Sequence, residues 1–146
     1  MSALCHVVYA SEATVTFSDA ALGTLLAHAR AANEAVGVTG ILLLVDTSFF
    51  QVLEGPIDAV ASVYEKIARD KRHGRVLKLI EEPIAKPDFA EWSMGLARTT
   101  SPELAALPGF HGLGATRRRL DTLSEGMART VLKAFQDGRW RARVGK

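Results

Sequence analysis

Apolar runs broken by short polar stretches dominate the first two thirds of the chain. Leu4-Cys5-His6-Val7-Val8-Tyr9-Ala10 is short, β-branched and aromatic, and it stops at Ser11-Glu12, which predicts a strand. Ser18 can cap the next segment and Asp19 places negative charge in its first turn. Leu22, Leu25, Leu26 and Ala29 then recur at helical spacing up to Gly37, so a helix is predicted. Gly40 to Val45 and Phe49 to Leu53 read as two strands joined through polar Asp46-Thr47-Ser48, a hairpin. Pro56 suits the first turn of a second helix, with Asp58 near its positive end and Val60, Val63, Tyr64 and Ile67 as its apolar stripe until Asp70. Val76 to Glu81 is a fourth strand.

This order predicts an α+β fold, a ferredoxin-like βαββαβ arrangement with the first and third strands side by side at the centre and both helices on one sheet face. The first strand and the hairpin are apolar with almost no alternation, so both sheet faces must be covered. Two helices cover one face, and the region after Leu96 must supply a lid for the other. Its candidates are a short segment near Pro102 to Leu107 and a longer amphipathic one from Leu123 to Phe135, ended by Gly138. A fifth strand around Met94 to Ala97 precedes them. The expected division is a main domain over residues 1–98 and a helical extension over 99–146 packing on the sheet, with the glycine-rich loop from Pro108 to Thr116 as linker.

Composition narrows the function classes. With 146 residues, 48% hydrophobic and 23% charged, the chain suits one ordinary globular domain and leaves no room for a second, catalytic one. It has no apolar stretch of bilayer length and no basic and apolar leader, so the cytoplasm is the expected location and no membrane is involved. Cys5 has no sequence partner for a disulfide or a thiolate metal site and reads as a packing residue. A formal charge of +2 is too small to imply nucleic acid. Arg117-Arg118-Arg119, Arg139, Arg141, Arg143 and Lys146 read as a solvated basic tail.

The candidate chemistry starts from Gln51, a primary amide inside an apolar strand, where its two donors and its acceptor need partners. By strand parity Phe49, Gln51 and Leu53 point one way, and Phe50, Val52 and Glu54 the other. Tyr9 shares a face with Cys5 and Val7. If Tyr9 and Gln51 both face the helices, a phenol and an amide meet in the cleft between the two helices, where Arg30 and Asn33, three residues apart on one helix face, add a cation and a second amide. Taken singly, each has an ordinary role as strand aromatic, solvated helix residue or helix-end residue. Taken together they describe a small-molecule cleft.

The joint pattern resembles the BLUF family of flavin-binding blue-light sensors over about Leu4 to Ala97. It includes Val8-Tyr9-Ala10-Ser11, Ala29-Arg30 with Asn33, Gly37-Val38-Thr39-Gly40-Ile41-Leu42-Leu43, and Phe49-Phe50-Gln51-Val52-Leu53-Glu54-Gly55. Asp70-Lys71-Arg72-His73 and Phe89-Ala90-Glu91-Trp92-Ser93-Met94-Gly95 complete it. The resemblance implies a flavin, usually FAD with FMN or riboflavin as alternatives, held with its ring between the two helices. It implies Asn33 on the carbonyl and imide edge, Leu25 and Ile67 sandwiching the ring, and Arg30, Lys66, Arg72 and His73 toward the ribityl chain and phosphates, with Asp70 also among the cofactor-binding residues. Ala32 departs from the pattern, since several members carry a second asparagine there. The resemblance further implies that Tyr9 gives the light-excited flavin an electron and then a proton, and that the bridging Gln51 amide is left rotated or tautomerised with a red-shifted absorption. Trp92 and Met94 are the implied relay toward the fifth strand and the tail, and either can be the one facing the flavin. No substrate is turned over, so signalling would pass by contact to a downstream effector protein or through a homo-oligomer.

Two other classes compete. An acylphosphatase-type enzyme shares the arrangement but needs a phosphate-cradling loop with arginine after the first strand, where this chain has Ser11-Glu12-Ala13-Thr14. A flavin-free or non-photoactive interaction domain on the same scaffold would be separated by colour, and a dark redox flavoprotein by the absence of photocycling.

Overall fold

The computed structural model describes residues 3–13, 18–45, 48–69, 73–100, 102–103 and 125–138. The loop expected at 108–116, most of the short segment expected near 102–107, and the basic residues at 117–119 and 139–146 lie outside the described residues. The elements run β1 (Leu4–Ala13), α1 (Asp19–Val36), β2 (Thr39–Val45), β3 (Ser48–Pro56), α2 (Ile57–Arg69), β4 (His73–Ile84), β5 (Gly95–Thr99) and α3 (Glu125–Gln136). One five-stranded sheet has the order β4-β1-β3-β2-β5, with β1 and β3 paired near its centre and β5 parallel to β2. This is the α+β, ferredoxin-like arrangement the apolar pattern predicts.

Local chemistry places the helices. The Ser18 hydroxyl accepts the Ala21 N–H at 3.1 Å to open α1, and Gly37 closes it at φ 74°, a left-handed conformation that glycine adopts without a Cβ clash. Pro56 falls outside α2 and ends β3, opposite Leu4 of β1. The N–H of Ile57 is taken by the Ala3 carbonyl at 3.2 Å, which keeps the chain extended up to that point. β4 is longer than its own apolar residues suggest, because β1 pairs with it from Leu4↔Ile84 to Ala13↔His73 and sets its length. β5 likewise follows β2, pairing from Ile41↔Gly95 to Val45↔Thr99. Strand parity divides the core in two. Cys5, Val7, Tyr9, Leu42, Phe49 and Leu53 pack under Leu22, Leu25 and Leu26 of α1 and Val60 and Val63 of α2. Val8, Ala10, Ile41, Leu43, Phe50 and Val52 pack on the other face against Ala128, Val131, Leu132 and Phe135 of α3. The tail helix is the lid that the unalternating strands require.

Candidate functional site

Tyr9 and Gln51 lie directly opposite each other in the β1–β3 ladder, on the face covered by α1 and α2. Both side chains are buried, and the Tyr9 hydroxyl donates a hydrogen bond to Gln51 Oε1. Burial, helped by the neighbouring Tyr64 phenol, pushes the Tyr9 hydroxyl well above its ordinary pKa, so it stays protonated and available as a donor. On its other side Gln51 Nε2 faces the sulfur of Met94 at 3.3 Å, a weak acceptor. The amide is thus gripped firmly at its oxygen and loosely at its nitrogen.

Gln51 forms part of the floor of a cavity of about 190 Å³ between α1 and α2. Leu25, Ala29, Ala32 and Asn33 line it from α1, and Val63, Lys66 and Ile67 from α2. Leu42 of β2 lies opposite Gln51 in the ladder and lines the cavity with it, as does Met94. Aliphatic walls with two amides at selected points suit a flat, largely apolar ring that carries polar edges. The volume is below the ~300–1,000 Å³ of sites that enclose a whole drug-sized ligand. It therefore encloses at most part of such a ligand.

The sequence-predicted residues divide into three groups. Leu25, Asn33, Gln51, Lys66, Ile67 and Met94 line the cavity, and Tyr9 lies behind Gln51. Arg30 does not line it; its Nε donates to the Met94 carbonyl at 2.8 Å. Asp70, Arg72 and the His73 side chain lie outside the described residues. Of the two relay candidates, Met94 is the one at the cavity. Trp92 packs with the core on the opposite sheet face, its ring stacked on Phe89 at 6.3 Å between centroids. His28, Leu42 and Val63 also line the cavity, although the sequence marks Leu42 and Val63 only as strand and helix-stripe positions and does not mark His28. The helical spacing of Leu25, His28, Ala29 and Ala32 and the parity of Leu42 with Gln51 carried that signal.

Three successive carbonyls seat the segment that brings Met94 to Gln51. Gly40 N–H donates to Trp92 O at 3.1 Å, Asn33 Nδ2 to Ser93 O at 2.7 Å, and Arg30 Nε to Met94 O at 2.8 Å. Asn33 therefore serves two places at once, the cavity wall and this segment. Among the described residues no cluster of His, Cys, Asp and Glu could hold a metal ion, and no helix is long and apolar enough to cross a membrane.

Residues 4–95 match the model of a family described as BLUF, sensors of blue-light using FAD. The chain belongs to the BLUF family. It is a blue-light sensor domain of the flavin-binding kind. A photoactivated adenylate cyclase subunit beta from Euglena longa is 37% identical over 108 residues, which are 73% of this chain and 12% of that protein. The chain thus spans about a tenth of the length of the curated relatives it matches. Among solved structures, BlsA in its ground state superposes with a TM-score of 0.78 at 25% identity, covering 94% of this chain and 90% of that one. The dark-state structure of BlrB, a BLUF protein, gives 0.67 at 29% identity, with 92% and 98% covered. These BLUF structures share the sheet and helix arrangement described above, and the cavity between α1 and α2 fits the ring of the family's cofactor.

Proposed function

We propose that this chain is a reversible photoswitch in which the Tyr9–Gln51 pair reads out the excitation of FAD bound between α1 and α2. The reading rests on one observation above the others, the buried phenol-to-amide hydrogen bond at the floor of the cavity. When bound, the flavin supplies blue-light absorption and, once excited, an acceptor for an electron.

Tyr9 is the electron donor. Oxidising a phenol makes it strongly acidic, and its proton has a ready acceptor in Gln51 Oε1. When the electron and the proton have both returned to Tyr9, restoring the neutral phenol, the amide has two orientations that both keep a hydrogen bond to it. In the first the phenol donates to Oε1. In the second the amide N–H donates to the phenol oxygen, which is able to accept. The weak grip of Met94 sulfur on Nε2 leaves the rotation cheap. Burial of Tyr9, Gln51 and Met94 excludes the water that would otherwise reprotonate the pair by other routes. Asn33 holds the polar ring edge, Leu25 and Ile67 hold its faces, and Lys66 reaches toward the phosphates.

Residues 1–98 form the sensing unit in this proposal, and 99–146 the extension that carries the signal to an effector protein or to a second copy of the chain. The chain turns over no substrate of its own. The test is the visible spectrum of FAD-reconstituted protein before, during and after blue illumination. A red shift that reverts in the dark supports the reading. Bleaching alone would leave a redox flavoprotein, and a colourless protein a scaffold without the cofactor.

A further inference from the structure

β3 carries Gln51 on the cavity face and, three residues on, Glu54 on the opposite one. Glu54 is completely buried, and three donors converge on its carboxylate. Phe89 N–H lies at 2.6 Å from Oε1, Thr39 Oγ1 at 2.9 Å from the same oxygen, and Asp88 N–H at 2.8 Å from Oε2. Burial raises the Glu54 pKa, and these three hydrogen bonds oppose the rise by favouring the charged form.

What the carboxylate holds is the start of the segment from Asp88 to Met94. At its far end Met94 touches Gln51. At its near end Phe89 stacks on Trp92 and meets the edge of Phe135 of α3 at 6.0 Å between centroids, and Gln136 of α3 donates to Asp88 Oδ2 at 2.8 Å. One short stretch of chain therefore touches both the amide and the tail helix, and Glu54 anchors it between them.

We infer that Glu54 is a positioning residue that couples the cavity to helix α3 by fixing the Asp88–Met94 segment through the N–H groups of Asp88 and Phe89. The coupling to light rests on the photoswitch reading. The anchoring does not. Glu54→Gln is nearly isosteric but turns one acceptor oxygen into an N–H donor facing a backbone N–H, so at least one of the three bonds is lost.

The test is hydrogen exchange of the full FAD-loaded chain, dark and illuminated, with Trp92 emission read in a Trp140→Phe background. In the dark, Glu54→Gln is expected to speed exchange in residues 88–94 and 125–136 about tenfold, the factor that losing one hydrogen bond to a charged acceptor gives. It should also move the Trp92 emission, while amides in the paired parts of β1 and β3 keep their wild-type rates. Under light the variant keeps a red shift of wild-type size but loses the accompanying change in α3 exchange, an uncoupling that a loss of general stability would not produce. Thr39→Val, which spares both N–H bonds, should behave as wild type. If Glu54→Gln does not fold, Glu54→Asp keeps the charge on a shorter stem and should show the same pattern in milder form. Wild-type dark exchange in both segments, or loosening spread evenly over the sheet, overturns the inference. A wild-type protein with no red shift defeats the photoswitch reading alone, and the dark exchange then still decides this one.

Discussion

Met94 sets its sulfur 3.3 Å from the amide nitrogen of Gln51, so one side chain both lines the cavity and meets the amide at its nitrogen. Met94→Leu keeps bulk and removes the sulfur. Its stability should change by less than about 1.5 kcal/mol in urea unfolding. If the sulfur biases the resting orientation, dark recovery should slow by up to roughly fivefold, the worth of one neutral hydrogen bond. Recovery at the wild-type rate would mean that the sulfur does not bias the amide.

Gly40 tests how tightly the hairpin is built. A Cβ there would lie 2.0 Å from the carbonyl oxygen of Val52, a backbone atom that cannot move aside as a flexible side chain would. Gly40→Ala should cost about 3 kcal/mol of stability, read from the urea midpoint at unchanged slope. It should also disturb Trp92, whose carbonyl accepts the Gly40 N–H. A loss below about 1 kcal/mol would show that the two strands can separate locally at little cost.

Glu82 gives a pH dependence with a definite sign. Its carboxylate accepts both Nη atoms of Arg129 on α3 and lies 2.8 Å from His6 Nε2, and these contacts lower its pKa from 4.5 to about 2. A lowered folded-state pKa means that the unfolded chain binds more protons in this window. The contribution is therefore complete above about 4.5 and is lost as pH falls toward about 2. The Arg129 side chain is 47% exposed and that of Glu82 33%, so solvent screens the pair. Its worth is of the surface kind, below about 1 kcal/mol. NMR titration of Glu82 should show the low value, and Arg129→Ala should raise it. An unchanged titration in that variant would remove Arg129 as the main cause.

Lys66 lines the cavity from α2 while remaining exposed, and in the proposed switch it meets the charged part of the cofactor. Lys66→Met should weaken FAD about fivefold, the upper end for an exposed ion pair, and leave riboflavin affinity unchanged. Equal weakening of both would place Lys66 on the ring instead.

Much of this arrangement is legible in the sequence because strand parity is strict. The period of two in β1 and β3 puts Tyr9 and Gln51 on one face and Glu54 on the other, and the lack of alternation announces a second covering layer. Contacts between residues distant in sequence are not legible in this way. Arg30 reads as a cation for phosphates, and nothing in its helix position announces that its Nε donates to a carbonyl 64 residues away. Met94 and Trp92 are two apolar residues in an irregular stretch with no period to orient them, so only the seating of the carbonyls of residues 92–94 shows which one reaches the cavity. The length of β4 was hidden for a related reason, because an edge strand follows its partner.

The Tyr9–Gln51 hydrogen bond carries the central claim, and the most direct test is the light-minus-dark visible spectrum of FAD-loaded wild type, Tyr9→Phe and Gln51→Leu recorded side by side. The expected result is a reversible red shift in the wild type and none in either variant, with flavin retained in all three. A normal, reversible shift in Tyr9→Phe or in Gln51→Leu would contradict it, since the switch would then work without the phenol or without the amide.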